Sequence, residues 1–353
     1  MYDLIDVSAF KKLLLDCATA LQDGNLKLAD VHLGMISNLL AKKTDIARSR
    51  LVKYYAEGIV RRAYGLHPSL PFFTSRLPYF DKIEPNVLEG KKQLHLIDFY
   101  LPHLYSHHFY GPYLFDTLRK VCGDSISVRV SVVLPPFMEK TVDFRREEQF
   151  LAREAEKESI KLKDFKMVYA NGLGEVDDAF MWDLMMKRRA DDDEALVIFY
   201  SNKLHRLVAE EGALETELLT LAQINPDVVF ISEDNANHNY SNFIQRLDHS
   251  FPYYFSTNPV IGIEAQNMKR REIGNIVGCE GKDLVERHLT FDQWRSLFLS
   301  TGFMIPIPLY VKGYNGKENG CLVYRDEFHS AWKFCSGVHL DSTSFNSLLR
   351  GWT

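Results

Sequence analysis

Four apolar runs of strand length are spread along the middle of the chain: Leu94–Phe99, Ile126–Leu134, Ala195–Tyr200 and Val228–Ile231. Stretches with helical character separate them. Pro112 stands where a helix start tolerates it, and Tyr113, Leu114, Leu118 and Val121 follow until Gly123. Glu147–Lys161 is charged and helical, and Leu204–Ala222 carries a helical leucine pattern that stops before Asn225-Pro226. Runs that are apolar throughout, rather than alternating, suit strands covered on both faces. Strands that alternate with helices in turn predict an α/β fold with a mostly parallel sheet. Near the end, Ile305–Val311 and Gly320–Tyr324 flank K-G-Y-N-G-K-E-N and predict an antiparallel hairpin at the sheet edge.

The first ~65 residues read differently, as three short-looped amphipathic helices. Phe10, Leu13, Leu14, Cys17, Ala18 and Leu21 share one face; Ala29, Leu33, Ile36, Leu39 and Leu40 share the next; Leu51, Tyr54, Tyr55 and Ile59 form the third. Gly24-Asn25 separates the first two, and Thr44 or Asp45 can cap the third. Three apolar stripes need a covering surface, inside the chain or outside it. Gln266–Val277 is a basic helix candidate. Thr290–Gln293 forms a capping box ahead of Trp294, Leu297 and Phe298, with Gly302 at the stop.

Leu94–Phe99 looks like the opening strand of a nucleotide-binding fold, but its sequel lacks the glycine loop such a fold uses. Such folds place glycines after the first strand so that backbone N–H groups can approach phosphate. Here Asp98 is followed by Phe99, Tyr100, Leu101 and Pro102, and the nearest glycine is Gly111. The second strand ends Val133-Leu134-Pro135-Pro136, without the carboxylate that would hold a ribose. No cofactor is expected. His103, His107 and His108 contain an i, i+4 pair, but no glutamate lies between them and Pro102 weakens the helix, so no metal site is assigned. The acidic flank of Cys279 opposes thiolate formation.

The 353 residues carry a net charge of −5, which argues against bulk electrostatic binding of nucleic acid. Lys187–Arg189 and Lys269–Arg271 are triplets too short to count as strong nucleic-acid signals. Five widely spaced cysteines without a C-x-x-C fit a reducing intracellular compartment. No apolar run approaches the ~20 residues a membrane span needs. Glu272 and Glu280, eight apart on one expected helix, can pair with Arg270 or Arg271 in a polar cluster near Glu286-Arg287-His288.

Several segments, in this order, resemble the GRAS family of plant transcriptional regulators, from about residue 8 to residue 334. Leu13–Asn25 resembles the start of the family's first leucine-rich region. Leu94, His95, Leu96, Ile97 and Asp98 resemble its V-H-I-I-D motif. Asn225–Phe230 with Pro226, then Phe251-Pro252-Tyr253-Tyr254, then Arg271-Glu272 resemble its P-F-Y-R-E region. Asn275–His288, which includes Glu286 and Arg287, resembles the following block, with Leu284 where an arginine is usual. Ser330, Ala331 and Trp332 complete the terminal motif. The Gln-Trp-Pro common after Asp98 is replaced by Tyr110-Gly111-Pro112.

The resemblance implies a methyltransferase-like core, residues 66–334, with a helical cap over residues 1–65 and a tail over 335–353. It implies a non-catalytic regulator in the nucleus and cytoplasm that works through protein contacts. Its partners would be other GRAS proteins, as homo- or heterodimers, or DNA-binding transcription factors, with DNA met directly or through them. The cap residues Phe10, Leu13, Leu14, Leu33 and Leu40 are the expected docking surface. Arg271, Glu272, Glu286 and Arg287 are expected to form a structural polar network, and Trp294 and Trp332 buried anchors. The two competing functions are a divergent S-adenosylmethionine-dependent methyltransferase and a sequence-specific DNA-binding dimer. A family-typical disordered N-terminal region is lacking, so the chain reads as a piece of a longer gene product or as a short divergent member.

Overall fold

The computed structural model describes residues 6–41, 46–63, 91–99, 115–116, 118–120, 126–136, 139, 143–190, 193–201, 203–256, 263–300, 323–325 and 329–335. They fall into two compact units.

One unit holds the sheet. Its strands are β1 (Gln93–Phe99), β2 (Ser127–Leu134), β3 (Lys161–Tyr169), β4 (Glu194–Ser201), β5 (Val228–Asp234), β6 (Val323–Arg325) and β7 (His329–Cys335), in the order β3-β2-β1-β4-β5-β7-β6. The pairs β1–β2, β1–β4, β2–β3 and β4–β5 are parallel, and β6–β7 is antiparallel. The expected hairpin strand Ile305–Val311 lies outside the described residues, so the observed antiparallel pair is a different one. Every residue of β2 is buried, and so is every residue of β1 after Gln93. The continuous apolar runs follow from that: Leu94, Leu96, Val128, Val130 and Val197 face one core with Leu151, Ala155, Phe115 and Leu118. Each such side chain contributes on the order of 1.5–3 kcal/mol when fully buried.

Helices α4 (Phe144–Lys157) and α5 (Asp178–Ala190) connect β2 to β3 and β3 to β4. Asp143 caps α4 by accepting hydrogen bonds from the amides of Arg145 and Arg146. The single helix expected over 204–222 is instead two, α6 (Leu204–Leu207) and α7 (Ala213–Ile224). Gly212, at φ +77°, takes the left-handed turn that separates them. Asn225, at φ +50°, then stops α7 and hands the chain to buried Pro226. The last helix, α10 (Phe291–Ser300), buries Trp294 and Phe298 at the expected spacing, with ring centroids 5.8 Å apart.

The other unit joins α1 (Val7–Gln22), α2 (Leu26–Leu40) and α3 (Ile46–Ala63) to α8 (Phe243–Ser256) and α9 (Ile263–Gly278). Asp6 and Asn25 cap α1 and α2 by accepting from the amides of Ala9 and Leu28, both at 3.1 Å. The stripes of α1 and α3 pack with Phe243, Leu247, Phe251, Ile273, Ile276 and Val277. The backbones of α3 and α9 meet closely at glycine. A Cβ placed on Gly58 would lie 3.2 Å from the Val277 Cβ, and one on Gly278 would lie 3.3 Å from the Gly58 carbonyl oxygen.

Candidate protein-docking surface

The carboxyl end of β1, where a nucleotide fold would open its crevice, carries an aromatic stack. Phe99 lies nearly parallel to Tyr200 at the end of β4, centroids 4.4 Å apart, and both rings are buried. The Tyr200 hydroxyl donates to Glu217 Oε1 at 2.6 Å, and the Gly174 amide donates to Glu217 Oε2 at 3.2 Å. Burial raises the Glu217 carboxyl above its usual range, against those hydrogen bonds. Asp98 and His95 are also buried, and His95 Nε2 meets Ser131 Oγ at 2.8 Å. The segment from Tyr100 to Leu114 lies outside the described residues.

The motif residues of the helical unit separate into distinct roles. Glu272 on α9 is buried and accepts from the Tyr254 hydroxyl at 3.0 Å. Glu286 is buried beside His288, whose Nε2 is 3.2 Å from Glu286 Oε2. His238 stacks on Tyr254 and meets His288 edge-on. Arg287 donates to Asn239 Oδ1 at 2.9 Å and to the carbonyl of Leu284 at 3.1 Å. Arg271 is exposed on α9.

Glu280 does not share a helix with Glu272, because α9 ends at Gly278 and Gly281 turns at φ +56°. Its partners are Arg246 and Arg62, at 2.8 and 2.7 Å. Arg270 pairs with Glu57, donating from Nε at 2.7 Å. The polar centre that periodicity missed is Arg246 on α8. It has no exposed surface and donates to the carbonyls of Tyr240, Ser241, Ile276 and Cys279 as well as to Glu280. No spacing rule flags it: a lone arginine in F-I-Q-R-L-D-H reads as solvent-facing.

The expected docking residues divide in two. Phe10, Leu14 and Leu40 are buried in the unit's own core, and Leu13 and Leu33 are half-buried against it. The exposed apolar side chains are others. Leu28, Val31, Met35 and Leu39 are 43, 53, 47 and 37% exposed and follow one another at three- and four-residue steps along α2. Leu26 at the start of α2 and Ile46 at the start of α3 are also exposed. On the other side of α2, Leu33, Ile36, Leu40, Lys53 and Ala56 line a groove of about 320 Å³ between α2 and α3. Scattered exposed apolar side chains are ordinary; Leu28, Val31, Met35 and Leu39 instead follow one another along a single helix.

Ser330, Ala331 and Trp332 sit in β7, their Cα atoms opposite Arg325, Tyr324 and Val323. The Trp332 side chain lies outside the described residues. No described helix is long and apolar enough to cross a membrane.

Residues 85–323 match the sequence model of the GRAS domain family. DELLA protein 2 of Medicago truncatula is 30% identical over 313 residues, covering 82% of this chain and 57% of that protein. DELLA protein GAI1 of Vitis vinifera is 31% identical over 320 residues, covering 82% and 52%. DELLA protein RGA of Arabidopsis thaliana is 28% identical over 374 residues, covering 92% and 62%. The chain thus spans little more than half the length of these relatives. The crystal structure of SCL7 from Oryza sativa shares the fold, with a TM-score of 0.63 at 18% identity over 93% of this chain and 100% of that one. The match over most of the chain, the ordered motifs and the shared fold agree: the chain belongs to the GRAS domain family.

Proposed function

We propose that this protein regulates transcription in the nucleus by docking other proteins, with no catalytic turnover. The observation that carries the reading is the exposed apolar row Leu28, Val31, Met35 and Leu39 on a helix whose opposite face is anchored in a packed core. Its partners are other GRAS proteins or DNA-binding transcription factors, and DNA is reached through them. The strand order supports a methyltransferase-like frame. The Phe99–Tyr200 stack supports a frame kept for its shape, with aromatic rings where a cofactor would lie. The cap over 1–65, core over 66–334 and tail over 335–353 remain the functional division we propose.

The test is a reporter assay with the chain tethered to a heterologous DNA-binding domain. The intact chain changes reporter output, and replacing Leu28, Val31, Met35 and Leu39 together by glutamine returns it to baseline with the protein still folded. An unchanged output from the substituted chain would overturn the reading.

A further inference from the structure

We infer that Lys203 is a covalent attachment point for a small uncharged aldehyde, which its Nζ holds as an imine. The inference stands apart from the docking role of α2. Lys203 follows β4 by two residues, at the carboxyl edge of the parallel sheet, where α/β folds take their ligands. Its backbone is pinned there by Glu233 at the end of β5. The amides of Lys203 and Leu204 donate to Glu233 Oε1 at 2.9 and 2.7 Å, and His205 Nδ1 lies 2.7 Å from Glu233 Oε2. The lysine is only 5% exposed. Glu217, Glu175 and Glu233 are close enough to act on its ammonium by charge, yet each is engaged elsewhere. Tyr200 and the Gly174 amide hold Glu217, and Asn171 donates to Glu175 from its backbone and its side chain at 3.0 and 2.9 Å. Among the described residues, none accepts a hydrogen bond from Lys203 Nζ or forms an ion pair with it.

A buried ammonium without an acceptor is costly, so such a site favours the neutral amine. Burial first, then the Arg206 guanidinium, push Lys203 down to about 8 from 10.5, against the pull of the three glutamates. Desolvation beside another cation is how a lysine becomes a nucleophile toward carbonyl compounds. At about pH 7.5, roughly a quarter of such a side chain is neutral amine, against about one in a thousand for a lysine at its ordinary value. The step needs neither oxidant nor reductant. The Nζ lone pair attacks the aldehyde carbon, and the carbonyl π pair moves to oxygen. Both amine protons then leave with that oxygen as water, and a carbon–nitrogen double bond remains. The surroundings set the class of compound. So little exposure admits a short chain and excludes a bulky activated acyl carrier. Glu175 and Glu233 oppose a carbonyl compound that carries its own carboxylate or phosphate.

The test is reductive trapping on the full folded chain. Propanal at limiting concentration is added with cyanoborohydride, which reduces the imine to a stable secondary amine. Peptide mass spectrometry then follows each lysine separately. At about pH 7.5, Lys203 is expected to react at least about tenfold faster than the exposed Lys27 and Lys53. That margin is well below the difference in neutral amine, because access is restricted and a less basic amine is a weaker nucleophile. The preference should vanish in guanidinium chloride, where burial and Arg206 no longer act on the side chain. It should also shrink when glyoxylate, an aldehyde with its own carboxylate, replaces propanal. Lys203 reacting no faster than Lys27 and Lys53 would overturn the inference. So would a preference that survives unfolding, or one that is equal for glyoxylate and propanal.

Discussion

The Tyr254 hydroxyl donates to Glu272 across 3.0 Å, and both side chains are buried. That bond joins α8 to α9 inside a buried group that also holds Asp234, Glu286, His238 and His288. Three carboxyls in one dry region cannot all ionise cheaply, and the hydrogen bond offsets only part of the cost.

Stability should therefore depend on pH near neutrality. Burial above all, then the charges of Glu286 and Asp234, push Glu272 up to about 7 from an ordinary 4.5, while His288 and the Tyr254 hydroxyl pull it down. Between those values the folded protein keeps a proton that the unfolded chain has released. Stability is then lost as pH rises across the window, by at most about 1.4 kcal/mol per pH unit for one proton. Denaturant titrations at several pH values should show that fall, and Glu272→Gln should flatten it.

Removing Arg246 should be among the most damaging single changes. Arg246→Met keeps much of the apolar stem but takes the Arg246 donor from four backbone carbonyls and leaves Glu280 paired with Arg62 alone. An abandoned buried acceptor costs about 1–3 kcal/mol, so we expect a loss of at least about 3 kcal/mol by chemical denaturation.

The α3–α9 contact tolerates no bulk. Gly58→Val adds a branched side chain where even a Cβ lies 3.2 Å from Val277. Overpacking of this kind costs about 1–3 kcal/mol. Thermal unfolding should show Gly58→Val clearly below both wild type and Gly58→Ala.

Tyr200→Phe should destabilise the sheet unit by about 1–3 kcal/mol, because buried Glu217 loses its 2.6 Å donor while the ring stack with Phe99 is kept. Differential scanning fluorimetry with S-adenosylmethionine should show no shift for either protein. A ligand at a hundred times its dissociation constant would instead add about 2.7 kcal/mol.

The sheet was legible wherever a strand is covered on both sides. Leu94–Phe99 and Ala195–Tyr200 lie within one residue of β1 and β4 because nothing polar interrupts them except buried His95 and Asp98. β3 escaped notice. It lies at the end of the sheet order, and Lys161, Lys163, Asp164 and Lys166 make it read as a continuation of the charged helix before it. The helix α5 escaped for a related reason: its buried positions Phe180 and Leu184 are outnumbered by apolar neighbours such as Trp182 and Met186, which are exposed. The docking face posed the hardest problem. In L-K-L-A-D-V-H-L-G-M-I-S-N-L-L both sides of α2 are apolar, so spacing could find the helix but not choose the buried side. Leu39 was assigned inward with Leu40, and only packing against α1 and α3 turns it out.

The helical unit is assembled from two stretches far apart in sequence, one ending at Ala63 and the other not complete until Thr290. On the ribosome, roughly 230 further residues must be made before α1 and α3 meet α8 and α9, about 10–45 s at ordinary elongation rates. During that interval Phe10, Leu14, Tyr55 and Ile59 lack the cover that α8 and α9 give them. The nascent chain thus presents a long-lived greasy surface, and its yield in a cell should depend on a holding chaperone.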